Sequence, residues 1–130
     1  MAATDEFVTR MATVEDAALI GEHRHRMFVD SGQAEDARME TVIANFVPWV
    51  RERLLSGTYV GWLTEKDGKV VAGAGTLLMD FPPHWMDPAP LRAYLLNFYV
   101  TPEMRGHGLA GALLNSGGLP ARFEVWAARL

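Results

Sequence analysis

Along the first part of the chain apolar residues repeat at helical spacing, and beyond Thr58 they alternate or run together as they do in strands. Residues 7–11 alternate well enough for a short opening strand. Thr13, followed three residues later by Asp16, has the form of a helix N-terminus, where the hydroxyl accepts amides that lack a partner inside the helix. The spacing predicts a helix over residues 14–29 with Ala17, Ile20, Met27 and Phe28 on its buried face, stopped by Asp30-Ser31-Gly32. The clearest helical period comes next, in Met39, Val42, Ile43, Phe46, Val47, Val50 and Leu54. Pro48 interrupts it. A proline there offers no amide to the Ala44 carbonyl and crowds it, which predicts a kink or two helices meeting near Val47.

Residues 59–64 are rich in β-formers, Asp67-Gly68 is a pair favoured in tight hairpins, and the return strand covers residues 70–79. Gly73 and Gly75 within it imply a bulge or a close approach by another backbone. Pro82, Pro83, Pro88 and Pro90 forbid regular ladders and predict a stiff, extended loop. That loop either covers a substrate cleft with Phe81, His84, Trp85 and Met86 or folds its aromatics onto the core. Residues 91–100 form a strand so apolar that it should lie centrally in the sheet.

With 130 residues the chain suits one domain, residues 1–130. No apolar run approaches the roughly 20 residues of a membrane span and no signal-like segment opens the chain, so it reads as cytoplasmic, with no membrane partner. The net charge of -4 and scattered basic residues give nucleic-acid binding no support. Arg24 and Arg26 around His25 form the densest basic cluster and read as a solvated helix face. The absence of cysteine rules out disulfides, thiolate metal sites and a cysteine nucleophile, and no metal site is expected. A sulfur acyl carrier would have to be a cofactor.

The most informative segment follows the apolar strand. There the chain stops at Thr101-Pro102 and leads through Arg105-Gly106-His107-Gly108 into the small-residue segment Leu109-Ala110-Gly111. The two glycines let amides point into one concavity, and a helix beginning there adds its partial positive charge, which is a device for holding anions such as a diphosphate. Leu109, Leu113 and Leu114 can face the sheet as core. The spacing matches neither the dinucleotide fingerprint nor the nucleotide P-loop.

From Leu96 to Ala110 the sequence resembles the central motif of the GCN5-related N-acetyltransferases, whose Gln/Arg-x-x-Gly-x-Gly/Ala pattern falls on Arg105, Gly108 and Ala110. The opening strand, two helices, a hairpin and Met27-Phe28-Val29-Asp30 extend the resemblance over residues 7–114. It implies an α/β (α+β) fold, a mixed and mostly antiparallel sheet with flanking helices, whose C-terminal part is incomplete. It also implies acetyl-CoA as cosubstrate and transfer of acetyl to a primary amine of a small molecule or peptide. A catalytically impaired CoA-binding or interaction module of the same fold is the alternative.

In that family the central strand splays from its neighbour and pairs with the pantetheine arm. This implies cofactor contacts at Phe98, Tyr99 and Val100, with the Val100 amide donating to the thioester carbonyl. The diphosphate would meet the amides of Arg105, Gly106, His107, Gly108, Leu109 and Ala110, while the Arg105 side chain either adds charge or braces the loop through a salt bridge. Deprotonating a lysine-like amine at neutral pH represents roughly 4–5 kcal/mol. Asp80, Glu22, His23 and His84 are candidates to assist, none distinguished from a surface role, and the catalytic residues stay unassigned. Glu103 and His107 should point to solvent or phosphate. Asn97 is either an acceptor-side polar group or a brace for its strand.

Family members continue with a strand, a further helix that often carries a tyrosine acid, and closing strands. Here Asn115-Ser116-Gly117-Gly118-Leu119-Pro120 should end the helix after about two turns, residues 123–127 resemble one following strand, and Tyr59, Tyr94 and Tyr99 all precede the motif. Three explanations are open: a shortened or altered product, a stretch missing between ordered pieces, or a sheet completed across a homodimer, since a terminal strand with free amides and carbonyls invites pairing.

Overall fold

The computed structural model describes residues 6–116, with side chains as far as Leu114. Its strands are β1 (Phe7–Met11), β2 (Tyr59–Lys66), β3 (Lys69–Asp80) and β4 (Leu91–Val100). The helices are α1 (Ala17–Asp30), α2 (Asp36–Ser56) and α3 (Leu109–Ser116). The strands form an antiparallel sheet in the order β1-β2-β3-β4. The architecture is the mixed α+β class expected.

Local chemistry sets each element. Asp16 accepts the Thr13 amide at 2.7 Å and takes both arms of the Arg10 guanidinium at 2.9 Å, tying β1 to the start of α1. The Arg10 partnership holds the Asp16 carboxyl below the usual carboxylate range. Pro48 does not split the second helix: α2 is one element of 21 residues. Ala44 and Pro48 both lie on its exposed side, where water can satisfy the carbonyl that lost its amide. Asp67 and Gly68 take φ of 53° and 78°, the twisted two-residue turn that their pairing suggested.

Tyr59 and Trp62 stand three residues apart on β2 and therefore face opposite sides of the sheet. Tyr59 joins Ala17, Ile20, Phe46, Val50 and Leu96 in a core under α1 and α2. On the other face Trp62 packs against a second core of Val71, Ala72, Ala74, Leu109 and Leu113, under α3. Met27 and Phe28, expected in the buried face of α1, are only half-buried because the last turns of that helix border open pockets.

Among the described residues β4 forms the edge of the sheet, with helix layers against both faces. The strand anticipated at residues 123–127 lies outside the described residues. The expected bulge is present in β3, where Val71 is extra against β2 between the Thr64–Ala72 and Glu65–Val70 pairs, and a second bulge lies on β4, where Gly75 pairs with Leu96 and Gly73 with Tyr99, leaving Asn97 and Phe98 opposite Ala74 alone. Gly75 supplies the close approach. The Tyr59 ring lies across it, so a Cβ there would overlap both hydroxyl and ring. The proline loop keeps its aromatics off the core, with Trp85 87% exposed. No helix among the described residues is long and apolar enough to cross a membrane.

Gly75→Ala should therefore force Tyr59 from its seat and destabilise the fold by about 1–3 kcal/mol. Urea denaturation measures this, and a variant as stable as the parent would contradict the packing described.

Candidate functional site

Asn97 occupies the bulge at φ 59°, a left-handed conformation that asparagine tolerates better than most side chains. Its amide is held from both ends. Nδ2 donates to the Tyr59 hydroxyl at 3.0 Å, and Oδ1 accepts from Arg24 at 2.7 Å. Burial pushes the Tyr59 phenol up to about 12, so it remains a neutral acceptor. Asn97 is thus a brace for its strand and also lines a pocket.

Beyond the bulge the ladder with β3 fixes which main-chain groups are spoken for. Thr101 donates to Val71 and Ala72 faces Val100 across a non-bonded pair, so Val100, and Phe98 on the other side of Tyr99, turn their amides and carbonyls to the open edge. A 3-10 turn at Pro102–Met104 then delivers the chain to the glycine loop. Gly106 and Gly108 adopt φ of 86° and 75°, values that favour glycine over residues with a Cβ. Ala112 donates to the Gly108 carbonyl at 3.1 Å, so α3 begins here and its first amides have no partner within the helix.

These pieces border one cleft of about 440 Å³. Phe98, Tyr99, Val100, Arg105, Gly106, Gly108, Leu109 and Ala110 all line it, together with Asp30 of α1. His107 does not: its Nδ1 meets the Met104 carbonyl at 2.9 Å on the exposed side of the loop. Arg105 braces. Its Nε donates to the Val100 carbonyl at 3.0 Å and another nitrogen meets Asp30 at 2.8 Å, while the Tyr99 hydroxyl donates to the same carboxylate at 3.3 Å.

Of the groups considered for proton transfer, none stands at the cleft. Asp80 is exposed at the end of β3, and His84 accepts the Met86 amide within its own loop. Glu22 pairs with Arg26 on the solvent side of α1. His23 is buried, 5.1 Å from the Tyr99 ring, and a Cβ on Gly73 would come within 2.9 Å of its Nδ1. With Glu103 it borders a separate hollow between α1 and the β2–β3 turn.

The residue that sequence reasoning misplaced is Arg24. It does not belong to a solvated face: its guanidinium lies 5.0 and 5.1 Å from the Phe28 and Phe46 ring centres and binds Asn97. The available signal was position, since Arg24 precedes Phe28 by four residues and so shares its helix face, whereas Arg26 points away. Arg24 and Asn97 border a second pocket of about 170 Å³, which meets the main cleft along Met27 and Ser31.

Open strand edge, glycine turn and helix N-terminus border one cleft, and comparison with known proteins shows the family. The chain belongs to the acetyltransferase (GNAT) family, whose model matches residues 18–117. A GCN5-related N-acetyltransferase from Ralstonia eutropha JMP134 is 32% identical with a TM-score of 0.81, over 94% of this chain and 78% of that one. A predicted acetyltransferase from Clostridium acetobutylicum, solved with acetyl-CoA, is 24% identical with a TM-score of 0.78, over 85% and 70%. An aminoglycoside acetyltransferase from an uncultured soil metagenomic sample shares the fold at 20% identity and a TM-score of 0.60, over 95% and 74%. No curated protein matches the sequence.

The buried imidazole makes a pH prediction. Burial lowers the His23 pKa below its usual range, so the unfolded chain binds the proton more readily than the folded one. Its contribution to stability is complete above the unfolded value of ~6.5 and is lost as pH falls below it toward the folded value. Stability measured by urea denaturation should decline from about pH 7 to about pH 5, and His23→Gln should flatten that slope. An unchanged slope in the variant would contradict the assignment.

Proposed function

We propose that the chain is an N-acetyltransferase that moves acetyl from acetyl-CoA to a primary amine of a small molecule or peptide by direct attack in a ternary complex. One observation carries this: the outward edge of β4, where the Phe98 main chain and the Val100 amide lie open while the Val100 carbonyl takes Arg105, borders the same cleft as the amide-lined turn at Gly106 to Ala110. That geometry suits a ligand with an extended amide-bearing arm ending in a diphosphate.

Acetyl-CoA bound there supplies an activated acyl thioester. The Phe98 and Val100 main chain binds the arm as an added strand would, and the Val100 N–H donates to the thioester carbonyl oxygen, where negative charge develops as the amine attacks. The C–N bond would form as the C–S bond breaks, with the C–S electron pair leaving on sulfur as the CoA thiolate, which takes up the proton that the amine loses to give free CoA thiol. The amides of residues 106–110 and the N-terminus of α3 hold the diphosphate. Arg105, paired with Asp30, sets the loop rather than offering an unpaired charge.

A second reading, a CoA-binding module with impaired chemistry, is favoured by the acceptor-side pocket, whose lining residues include no carboxylate or histidine to take the proton. Thiol release with a panel of amines separates the two readings.

The cofactor assignment has a direct check by calorimetry. The parent chain should bind acetyl-CoA, and Gly108→Trp, which places an indole where the main chain must stay bare at positive φ, should weaken binding at least roughly 100-fold. Absence of binding by the parent, or equal binding by the variant, would overturn the assignment.

A further inference from the structure

The pocket beside the bulge has an unusual electrostatic character for a site that receives an amine. Arg24 is the one charged side chain on its wall; the rest are apolar or neutral, among them Phe28, Tyr94, Leu96 and Asn97. An ammonium group entering it meets a fixed positive charge, and a polycation meets it several times over.

Arg24 also lacks a counter-ion. Arg10, Arg26, Arg53 and Arg105 each face a carboxylate, but no carboxylate among the described residues pairs with Arg24. Its hydrogen bond goes to a neutral amide, and its flat faces lie near two phenyl rings. A guanidinium carries five N–H donors, and a partly desolvated one is costly until an anion completes it. Burial disfavours its charged form, opposed only by the nearby Tyr59 and Tyr94 hydroxyls. Asn97 and the rings hold the fork in place before any ligand arrives, which reduces the ordering cost of binding. At about 170 Å³ the pocket suits a compact ligand, with Phe28 and Leu96 to meet an apolar body.

We propose that the acceptor carries a carboxylate as well as its amine, that Arg24 binds this carboxylate, and that the substrate class is small amino acids with apolar side chains rather than polycationic amines. The proposal rests on the acetyl-CoA reading above. A carboxylate seated on Arg24 anchors the acceptor beside the bulge, and because Met27 and Ser31 line both this pocket and the main cleft, the amine lies on the side from which the Val100 edge is approached. Arg24 is then a specificity residue.

The test uses the full chain, acetyl-CoA, and a panel of leucine, methionine and phenylalanine, each beside its carboxamide, with an aminoglycoside as the polycationic control. Intrinsic reactivity favours the carboxamides, whose amines are weaker bases and are deprotonated more readily. A higher kcat/KM for a free acid than for its amide and for the aminoglycoside therefore reports recognition of the carboxylate. Arg24→Gln also removes a clamp on Asn97, so the readout is a ratio: kcat/KM on the preferred acid relative to its amide should fall by on the order of 10- to 100-fold. Arg24→Lys should retain part of the preference. If Arg24→Gln does not fold, the acid-to-amide comparison on the parent chain still decides. If no acid in the panel is preferred, or the folded Arg24→Gln variant keeps the preference, the carboxylate proposal is overturned while acetyl-CoA binding stands. Failure of the parent to bind acetyl-CoA would remove the proposed function, and this proposal with it.

Discussion

The structure depends on one side chain standing out of register: Asn97, turned to φ 59° and held between the Tyr59 hydroxyl and the Arg24 guanidinium. Because two residues of β4 stand opposite one of β3, Leu96 and Tyr99 can face the same helix layer although they are three positions apart. Phe98 and Val100 pack toward the α3 side, and their main-chain groups are left at the sheet edge. The bulge thus divides β4 into a stretch that bounds the acceptor-side pocket and a stretch that bounds the main cleft. Gly75 is part of the same device, since the Tyr59 ring that anchors Asn97 needs the space a side chain there would fill.

The charges around the cleft are arranged less for attraction than for position. Arg105 spends its guanidinium on Asp30 and on the Val100 carbonyl, joining the loop to α1 and to the strand it follows. Both partners of that pair are partly exposed, at 47% and 32%, so its stabilisation falls in the range of about 0–1 kcal/mol expected of surface pairs. With that cation already partnered, any anion held by the loop, as proposed for the diphosphate, would rely on main-chain amides and the start of α3. Arg24 is the opposite case, a desolvated cation with an amide and two rings but no carboxylate. One arginine ties the loop to α1; the other ties α1 to the bulge.

Much of this was legible in the sequence because periodicity and turn chemistry are local. The β1 strand, the hairpin at Asp67-Gly68, the start of α1 and the loop ahead of α3 follow from residues a few positions apart. What was not legible depended on partners distant in sequence. Gly73 and Gly75 signalled irregularity, and Val71 beside them is extra against β2, but the second bulge lies more than twenty positions away in β4, where Asn97 found Tyr59 and Arg24. The apolar run of residues 91–100 fits a strand with helix layers against both faces. Charge counting grouped Arg24 with Arg26, and only the packing of α1 on α2 and β4 separates a half-buried guanidinium from a solvated one. Pro48 allowed either a kink or two helices, and α2 continues through it as one element with Ala44 and Pro48 on its exposed side.

A crystal structure of the chain with acetyl-CoA tests the central claim most directly. The account predicts the extended arm paired along Phe98 and Val100, the diphosphate on the amides of residues 106–110, and Asn97 still at positive φ between Tyr59 and Arg24. A diphosphate bound away from that loop, or a β4 strand that pairs in regular register without the bulge, would contradict it.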